Sequence, residues 1–320
     1  DSVCLPYNPE HSKIPAARNH ETDRKMEKNH LPVFHLQYGS SNKWTGTVSS
    51  HEKTDMIANV LTIAGTDPSG GAGISADLKT FSALGTYGMA AITAVRSFQP
   101  LDPAFVADQI DAVFDDVTVS AVKIGMVATA GIAEAVASCL SKHPECPVVL
   151  DPVMVAKSGD LLLKQDAIAA IRDKLVPIAT LITPNLSEAA VLLEKERPDS
   201  IDAMKAVLPE LHRLGAEWVM LKGGNLPEAA SENSIDFLYG KGGTEMLSAP
   251  RIRTQNIHGT GCTLSAAIAA YMTRLPLPDS VREAKAYLTE ALAESGKLDV
   301  GHGHGPVHHF HNLWKSFAAR

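Results

Sequence analysis

Residues 59–85, NVLTIAGTDPSGGAGISADLKTFSALG, decide the fold class. The run NVLTIAG is short and apolar and ends in glycine, which is typical of a buried strand. The run ISADLKTFSALG has apolar residues at helical spacing and also closes with glycine, which is typical of a helix. A strand, a glycine-rich loop and a helix in this order are the unit to look for in the rest of the chain.

The same alternation continues along the chain. Further strand-like runs are GMAAITAV, AVKIGM, PVVLDPVM, TLITPN and WVMLKGG. Helical runs are FVADQIDAVFDD, TAGIAEAVASCL, DAIAAIRDKLV, SIDAMKAVLPELHRLG, LSAAIAAYMTR and DSVREAKAYLTEALAES. Strands that alternate with helices favour a mostly parallel sheet covered by helices on both faces. We therefore predict an α/β three-layer sandwich with a mostly parallel central sheet.

Length and composition suit one large α/β domain or two smaller ones. The 320 residues are 45% hydrophobic, and the formal net charge is −7 without a long basic run. This charge argues against a nucleic-acid partner and against electrostatic adhesion to a membrane. The four cysteines are scattered without C-x-x-C spacing, and the chain shows neither a membrane-span run nor a signal-peptide pattern. We expect a cytoplasmic protein that acts on a small molecule.

Residues 1–55 differ in character from the rest, and we interpret them as an N-terminal extension. They show little hydrophobic periodicity and contain loop-like pieces such as QYGSSNKWTGTVSS. Met56 directly precedes the first strand-like run and would make a natural initiator. The extension is therefore either native or added by cloning, and residues 56–320 are predicted to form the functional domain.

The strand ends are where chemistry is expected, because ligands of open α/β sheets bind beyond the carboxyl ends of the strands. The first strand ends in AGTDPSGGAG, residues 64–73, whose glycines allow close backbone approach to a ligand, although a plain flexible loop explains them too. Within it, GAGISA imitates a dinucleotide fingerprint. The next strand lacks the required acidic end, so a nicotinamide oxidoreductase is a weak alternative.

Three later strand ends carry polar residues. Asp151 follows an apolar strand in LDPVM, where an aspartate that starts a turn is as plausible as a functional one. Asn185 and Glu188 are three residues apart in TPNLSEA, which suits either a helix capping box or a hydrated Mg²⁺ ion. The run LKGGN places Lys222 and two glycines where phosphate or nucleotide contacts are plausible.

The stretch NIHGTGCT, residues 256–263, places two glycines and a cysteine immediately before the helical run LSAAIAAYM. Unpaired N–H groups and the positive end of a helix dipole favour an anion there. Such donors would stabilise the charge on a transferring phosphoryl group, although no P-loop motif occurs. The dipole should also favour the thiolate of Cys262, a candidate base or nucleophile, while a small buried cysteine that only packs is the plainer alternative.

Taken in order, these motifs resemble those of the hydroxymethylpyrimidine/phosphomethylpyrimidine kinases of thiamine synthesis, in the ribokinase-like superfamily. The resemblance runs from Asn59 to Trp314 and includes KIGM, LDPVMVAKSGD, LITPNLSEA, HGTGCTLSAA and GHGPVHHFH. It implies a ribokinase-like fold and a homodimer. It also implies that MgATP phosphorylates 4-amino-5-hydroxymethyl-2-methylpyrimidine and then its monophosphate, which yields the diphosphate.

The resemblance also implies roles for individual residues. Cys262 stands where other ribokinase relatives have aspartate, and a thiol with an ordinary pKa of about 8.5 can accept a hydroxyl proton once that pKa is lowered. Asp77 is expected to hydrogen-bond a polar edge of the pyrimidine ring. The implied residues are Gly259, Thr260, Gly261 and Cys262 for the anion hole and catalysis; Ala64, Gly65, Asp77, Met126 and Val153 for the pyrimidine; Asp151, Lys222, Gly223 and Gly224 for the nucleotide; and Asn185 and Glu188 for Mg²⁺.

One segment departs from the family pattern. After AITAV the family continues with a segment whose glutamine contacts the pyrimidine, whereas Val95 here runs early into RSFQPLDPAF. Either this loop is short or the sequence lacks residues there, so Gln99 receives no role; a mobile lid suits both explanations. The short loop also suggests a non-catalytic pyrimidine-binding protein as an alternative. A second alternative is a pyridoxal kinase, whose substrate is likewise a hydroxymethylated aromatic heterocycle.

The tail GHGHGPVHHFH, residues 301–311, is rich in histidine. Imidazole is a common metal ligand, so the tail raises the question of a metal site. No carboxylate or cysteine ligands accompany it in the sequence, and the family resemblance already accounts for most of it. We therefore do not predict a metal site there.

Overall fold

The computed structural model describes residues 56–95, 99–155, 160–227 and 229–314, so the predicted extension at residues 1–55 lies outside the described residues. The strands are β1 (Asn59–Ala64), β2 (Tyr87–Ile92), β3 (Ala94–Val95), β4 (Gln99–Pro100), β5 (Ala121–Ile124), β6 (Val148–Leu150), β7 (Leu181–Ile182), β8 (Trp218–Lys222), β9 (Asn233–Gly240) and β10 (Gly243–Pro250). The α-helices are α1 (Gly73–Ala83), α2 (Pro103–Asp116), α3 (Ala130–Leu140), α4 (Gln165–Ala170), α5 (Leu186–Leu193), α6 (Ile201–His212), α7 (Thr260–Met272) and α8 (Leu277–Ala293).

One eight-stranded sheet runs through the protein in the order β10-β9-β8-β7-β6-β5-β1-β2. The six strands β8, β7, β6, β5, β1 and β2 pair in parallel, each with the next. Strand β9 pairs antiparallel with both β8 and β10. The prediction of a mostly parallel sheet is therefore confirmed. Because the parallel strands point the same way, their carboxyl ends lie along one edge of the sheet. A short antiparallel ribbon of β3 and β4 stands apart from this sheet.

Helices bury both faces of the sheet. In β1, Leu61 and Ile63 join an apolar cluster with residues of α2 to α6, whereas Val60 joins a second cluster with α1, α7 and α8. Burial on both faces explains why the parallel strands are almost continuous apolar runs. The predicted three layers are confirmed. None of the helices within the described ranges is long and apolar enough to cross a membrane.

Candidate active site

Five adjacent strand ends form the candidate active site. They belong to β1, β5, β6, β7 and β8, which are consecutive neighbours in the sheet. Gly65, Met126, Asp151, Asn185 and Lys222 lie at or just beyond these ends. The residues proposed from five separate motifs therefore share one edge of the sheet, where ligands of this architecture bind.

The anion loop, defined here as residues 257–262, leads into α7. Gly259 is the N-cap, with a left-handed φ of 74°, so Thr260, Gly261 and Cys262 form the first turn of the helix. The expectation that these residues precede the helix is thus wrong by one turn, because the left-handed Gly259 lets the chain enter the helix early. N–H groups of a first turn have no carbonyl partner four residues back and can bind an anion, although the Thr260 N–H already donates to the Ile257 carbonyl at 3.4 Å.

The glycine loop, defined here as residues 65–73, packs directly against the anion loop. A Cβ atom on Gly259 would overlap the Gly71 carbonyl oxygen, and one on Gly73 would overlap the Gly65 carbonyl oxygen. Glycine is therefore required at these positions by close backbone approach. These glycines therefore serve packing as well as ligand access, because they let the two loops approach each other closely.

The carboxylate of Asp67 holds the glycine loop in this shape. Its oxygens accept hydrogen bonds from the backbone N–H and the hydroxyl of Ser69 (2.9 and 2.7 Å) and from the N–H of Ala72 (2.9 Å). His258 of the anion loop places its Nε2 2.8 Å from the same side chain. Neither Asp67 nor His258 was predicted to belong to the site. The TDPSG pattern, in which an aspartate can cap its own turn, was the available signal for Asp67.

Cys262 lies among charged groups as well as helix N–H groups. The residue keeps some solvent exposure. Burial nevertheless raises the pKa of the Cys262 thiol, and the opposing effects of Lys123 and of the Gly73 N–H only partly offset it. The expectation that the helix dipole yields a ready thiolate is therefore wrong, because desolvation of the sulfur outweighs the favourable charges around it.

Asp77 and Lys123 form a fully buried ion pair. Lys123 Nζ lies 2.8 Å from Asp77 Oδ2, and the Thr62 hydroxyl donates to the same oxygen at 2.7 Å. Burial alone would lower the pKa of Lys123, but the charge of Asp77 outweighs it and raises that pKa, so the amine stays protonated. Asp77 Oδ1 is buried without a hydrogen-bond partner among the described residues. A lone lysine inside the apolar run AVKIGM was a signal that the sequence analysis missed.

A second ion pair lies directly below the anion loop. Lys222 Nζ is 2.7 Å from Asp151 Oδ1, which also accepts the Thr183 hydroxyl at 3.1 Å. A Cβ atom on Gly261 would lie 3.2 Å from Asp151 Oδ2 and 3.5 Å from Lys222 Nζ. The structure thus brings Asp151 and Lys222 next to the anion loop, and the nucleotide-binding role predicted for them stays a prediction.

Asn185 and Glu188 form the capping box of α5. Asn185 Oδ1 accepts the N–H groups of Ser187 and Glu188 at 2.9 Å, and Glu188 Oε2 accepts the Asn185 N–H at 2.8 Å. Burial raises the pKa of Glu188 to about 7, although Lys222 opposes the shift. The described residues contain no group of three or more His, Cys, Asp or Glu side chains that could hold a metal. The side-chain oxygens of Asn185 and Glu188 are therefore engaged in the capping box, and the Mg²⁺ role predicted for these residues stays a prediction.

The two glycines after β8 differ in what they do. A Cβ atom on Gly223 would overlap the Ile235 carbonyl oxygen, and its N–H donates to Asp236 Oδ1 at 2.8 Å. The Gly223 N–H is thus already used by Asp236 and β9 packs against this glycine, while the nucleotide contact predicted for Gly223 stays a prediction. Gly224 is more open, since the nearest atom to an added Cβ is Ser234 Oγ at 3.8 Å.

Three of the residues expected to line the pyrimidine pocket, Ala64, Gly65 and Met126, lie together. A Cβ atom on Gly65 would lie 2.7 Å from Met126 Cε, and Ala64 is buried beside them at the end of β1. Val153 is half-buried and follows Asp151 in a turn closed by a backbone hydrogen bond of 2.8 Å. Gln99 is exposed on β4 and still has no assigned role.

The tail folds back onto α7 and α8. His309 Nε2 lies 3.1 Å from the Thr263 hydroxyl, and the Tyr287 hydroxyl donates to the His309 carbonyl at 2.6 Å. Burial lowers the pKa of His309 to about 4, so its imidazole is neutral at neutral pH. This histidine therefore packs against the first turns of α7 through its contact with Thr263.

Comparisons with known proteins agree with this geometry. The phosphomethylpyrimidine kinase family profile matches residues 67–308. The hydroxymethylpyrimidine/phosphomethylpyrimidine kinase of Escherichia coli strain K12 is 51% identical over 265 residues, which are 80% of this chain and 98% of that protein. Among solved structures, a phosphomethylpyrimidine kinase from Clostridium difficile 630 is 39% identical, with a TM-score of 0.65 and coverage of 73% of this chain and 99% of that one.

A further solved relative has a different named activity. The ADP complex of Bacillus subtilis pyridoxal kinase is 36% identical, with a TM-score of 0.73 and coverage of 79% of this chain and 98% of that one. Both solved structures support the ribokinase-like fold that the motifs implied. The matched segment contains the glycine loop from Asp67 onward, the anion loop and all the ion pairs described above. The chain belongs to the phosphomethylpyrimidine kinase family.

Proposed function

We propose that this protein uses ATP to phosphorylate 4-amino-5-hydroxymethyl-2-methylpyrimidine and then its monophosphate, forming the diphosphate for thiamine biosynthesis. The observation that carries the proposal is the first turn of α7, which begins at the left-handed Gly259 against the glycine loop and contains Cys262. The family membership and the similarity to the Escherichia coli kinase support the choice of substrate.

The anion loop supplies the main contribution to phosphoryl transfer. Its first-turn N–H groups are fixed by the helix, so they need no reorganisation when negative charge develops on the transferring group. The Lys222 ammonium also lies near Gly261, but it is paired with Asp151, whose Oδ2 is nearer to that glycine, so the pair adds little net charge to the anion loop. Positioning and electrostatic stabilisation account for most of the catalysis in this type of reaction, which suits a site built from backbone donors.

Cys262 is the candidate acceptor of the substrate hydroxyl proton. Its raised pKa keeps the thiol protonated at neutral pH in the free protein, so only a small thiolate fraction is ready to act. Lys123 is the buried cation that favours the thiolate. We expect turnover to rise with pH as that fraction grows.

We also propose that the reaction uses Mg²⁺. When bound with ATP, the ion would neutralise charge on the phosphate oxygens. The Glu188 carboxylate, which is buried beside Lys222 and Asp151, would accept hydrogen bonds from water molecules bound to the Mg²⁺ ion. A Mg²⁺ titration of turnover tests this role: Glu188→Gln should need more Mg²⁺ while its affinity for free pyrimidine stays near that of the wild type. Equal losses in both would indicate a capping role alone.

The decisive experiment measures ADP release with hydroxymethylpyrimidine, its monophosphate and pyridoxal side by side. We expect turnover with both pyrimidines. Turnover with pyridoxal alone would favour the second candidate, a pyridoxal kinase, which the similarity to the Bacillus subtilis enzyme brings into consideration. No ADP release with any of the three would contradict the kinase proposal and favour a non-catalytic pyrimidine-binding protein.

Two accompanying predictions concern the setting of the enzyme. The homodimer implied by the family resemblance is tested by light scattering of the purified protein. The cytoplasm remains the predicted compartment, in keeping with Cys139, Cys146 and Cys262, which are free thiols. Fractionation of cells that express the protein tests this prediction.

A further inference from the structure

His258 connects two loops that are far apart in the sequence. Its Nε2 lies 2.8 Å from Asp67 Oδ2, and the two residues are 191 positions apart. Although burial opposes it, hydrogen bonds from Ser69 and His258 lower the pKa of Asp67 to about 2. An ionised carboxylate can only accept hydrogen bonds, so Nε2 of His258 carries the proton and donates it.

The His258 ring also fills the space between the glycine loop and the tail. A Cβ atom on Gly71 would lie 2.6 Å from His258 Cδ2 and 3.2 Å from Pro306 Cβ. The His258 backbone N–H donates to the Gly305 carbonyl at 3.0 Å. Both the side chain and the backbone of His258 are therefore fixed, one by the glycine loop and the other by the tail.

The next residue along the chain is Gly259, where the anion loop turns into α7. A Cβ atom on Gly259 would overlap the Gly71 carbonyl oxygen, so no side chain fits there. The path of the chain into the first turn, and hence the direction of the Gly261 and Cys262 N–H groups, follows from where His258 is held. The Asp67 carboxylate is itself held by hydrogen bonds from Ser69 and Ala72, so it fixes the position of the His258 ring relative to the glycine loop.

We propose that Asp67 and His258 are a positioning pair that keeps the anion loop in register with the glycine loop during phosphoryl transfer. This inference rests on the proposed kinase function. His258 acts through the loop and does not itself contact the reacting atoms. A displacement of about 1 Å in a catalytic group can cost about 10²-fold in rate, which sets the expected effect of losing the pair.

The test compares His258→Ala with His258→Gln. We expect His258→Ala to lower kcat by about 10²-fold with a smaller change in KM, because transition-state contacts depend most on placement. His258→Gln should recover most of this loss, because an amide N–H can still donate to Asp67. The matched control is His302→Ala, an exposed histidine of the tail, which should behave as the wild type.

The pH profile separates positioning from proton transfer. The Gln variant should keep the wild-type shape of the kcat profile, since a positioning role does not use imidazole titration. Wild-type kcat in His258→Ala would overturn the proposal. A Gln variant as impaired as the Ala variant would also overturn it, because the imidazole itself would then be needed.

A second measurement does not depend on kinase turnover. The rate of iodoacetamide alkylation at Cys262, followed by mass spectrometry of its peptide, reports how the first turn of α7 is held. We expect faster alkylation in His258→Ala and a return toward the wild-type rate in His258→Gln. An unchanged rate in His258→Ala would contradict the positioning role. If the wild type turns over no substrate, the proposed function fails, while this measurement still decides the role of His258.

Discussion

At the scale of single residues, the local sequence predicts where Cys262 lies, whereas the fold sets the pKa of its thiol. The HGTGC motif predicts a cysteine just before a helix, and the structure places Cys262 inside the first turn of that helix. Its pKa, however, is raised by burial, an effect that the local sequence does not contain. The helix dipole considered alone predicts a lowered pKa for the Cys262 thiol, because that prediction leaves out the desolvation of the sulfur.

Replacement of the thiol tests its role as the proton acceptor. We expect Cys262→Ala to reduce turnover by roughly 10²- to 10⁴-fold, the usual contribution of a general base, with little change in substrate affinity. Some phosphoryl transfer should remain, because the anion loop survives the change. Single-turnover phosphorylation across pH is the measurement.

The raised pKa also fixes the direction of the pH effect. Wild-type turnover should increase toward alkaline pH, as the thiolate fraction grows, and the Ala variant should lose this rise. Cys262→Asp should recover part of the rate near neutral pH if a carboxylate can replace the thiolate. An Ala variant with the wild-type rate and pH profile would show that the cysteine only fills space.

The effect of burial on the pKa of Glu188 can be tested by the pH dependence of thermal stability. Its folded-state pKa is raised from 4.5 to about 7, so the stabilisation from its protonated form is complete below pH 4.5 and is lost as pH rises through 7. Glu188→Gln cannot ionise. We therefore expect the Tm of the wild type, relative to the Gln variant, to fall between these two pH values.

The control for this effect is Glu196→Gln, an exposed residue shortly after α5. Its Tm should follow that of the wild type at every pH. If the Tm curves of Glu188→Gln and wild type run parallel from pH 4.5 to 8, the raised pKa of Glu188 is wrong.

At the scale of elements, most strands and helices foreseen from periodicity are present, including the strand before the glycine loop and the helix after it. The run GMAAITAV, predicted as one strand, is divided into β2 and β3, which belong to different sheets. The hairpin of β9 and β10 was not predicted. Its strands mix polar and apolar residues, since β10 at the sheet edge is mostly exposed. An edge strand needs little apolar surface, so its hydrophobic signal is weak.

The junction between the glycine loop and the anion loop gives a prediction at this scale. Gly259→Ala should destabilise the protein and abolish most turnover, because the added Cβ would overlap the Gly71 carbonyl oxygen. A left-handed φ adds about 1–2 kcal/mol for a residue with a side chain. Thermal unfolding and ADP release measure the two effects.

The control variant Gly301→Ala measures the cost of a left-handed φ without a clash of the added Cβ atom. Gly301 has a similar φ of 70°, but nothing lies within 4 Å of an added Cβ. This variant should lose about 1–2 kcal/mol at most and keep its turnover. Equal losses of turnover in the two variants would mean that the contact between the loops is not what demands glycine at residue 259.

At the scale of the whole molecule, the functional unit is predicted to need only residues 56–320. The family match at residues 67–308 and every candidate site residue lie within this range. Deletion of residues 1–55 should therefore leave Tm and kcat nearly unchanged. Thermal unfolding and the ADP-release assay check this, and a large loss of both would assign the segment a structural role.

A longer deletion is the matched control. Removing residues 1–64 also removes β1, which pairs with both β2 and β5 inside the sheet. This protein should not fold, because the neighbours of β1 lose their hydrogen-bond partners and its buried apolar residues are absent. The contrast between the two deletions locates the start of the folded unit.

The sequence by itself determined the fold class and the positions of the motifs. Short apolar runs and helical spacing encode local structure, and the polar residues at strand ends, such as Asp151 and Lys222, are visible in the chain. Parallel pairing then brings those ends to one edge, which makes the site predictable as a set.

Only the tertiary structure decided which residues meet and what charge they carry. The Asp77–Lys123 and Asp151–Lys222 pairs join residues 46 and 71 positions apart, and no local pattern specifies such partners. The raised pKa of Cys262 and the packing that requires glycine at residue 223 likewise depend on neighbours from distant segments. Desolvation and close contact are properties of the folded arrangement, so they cannot be derived from spacing along the chain.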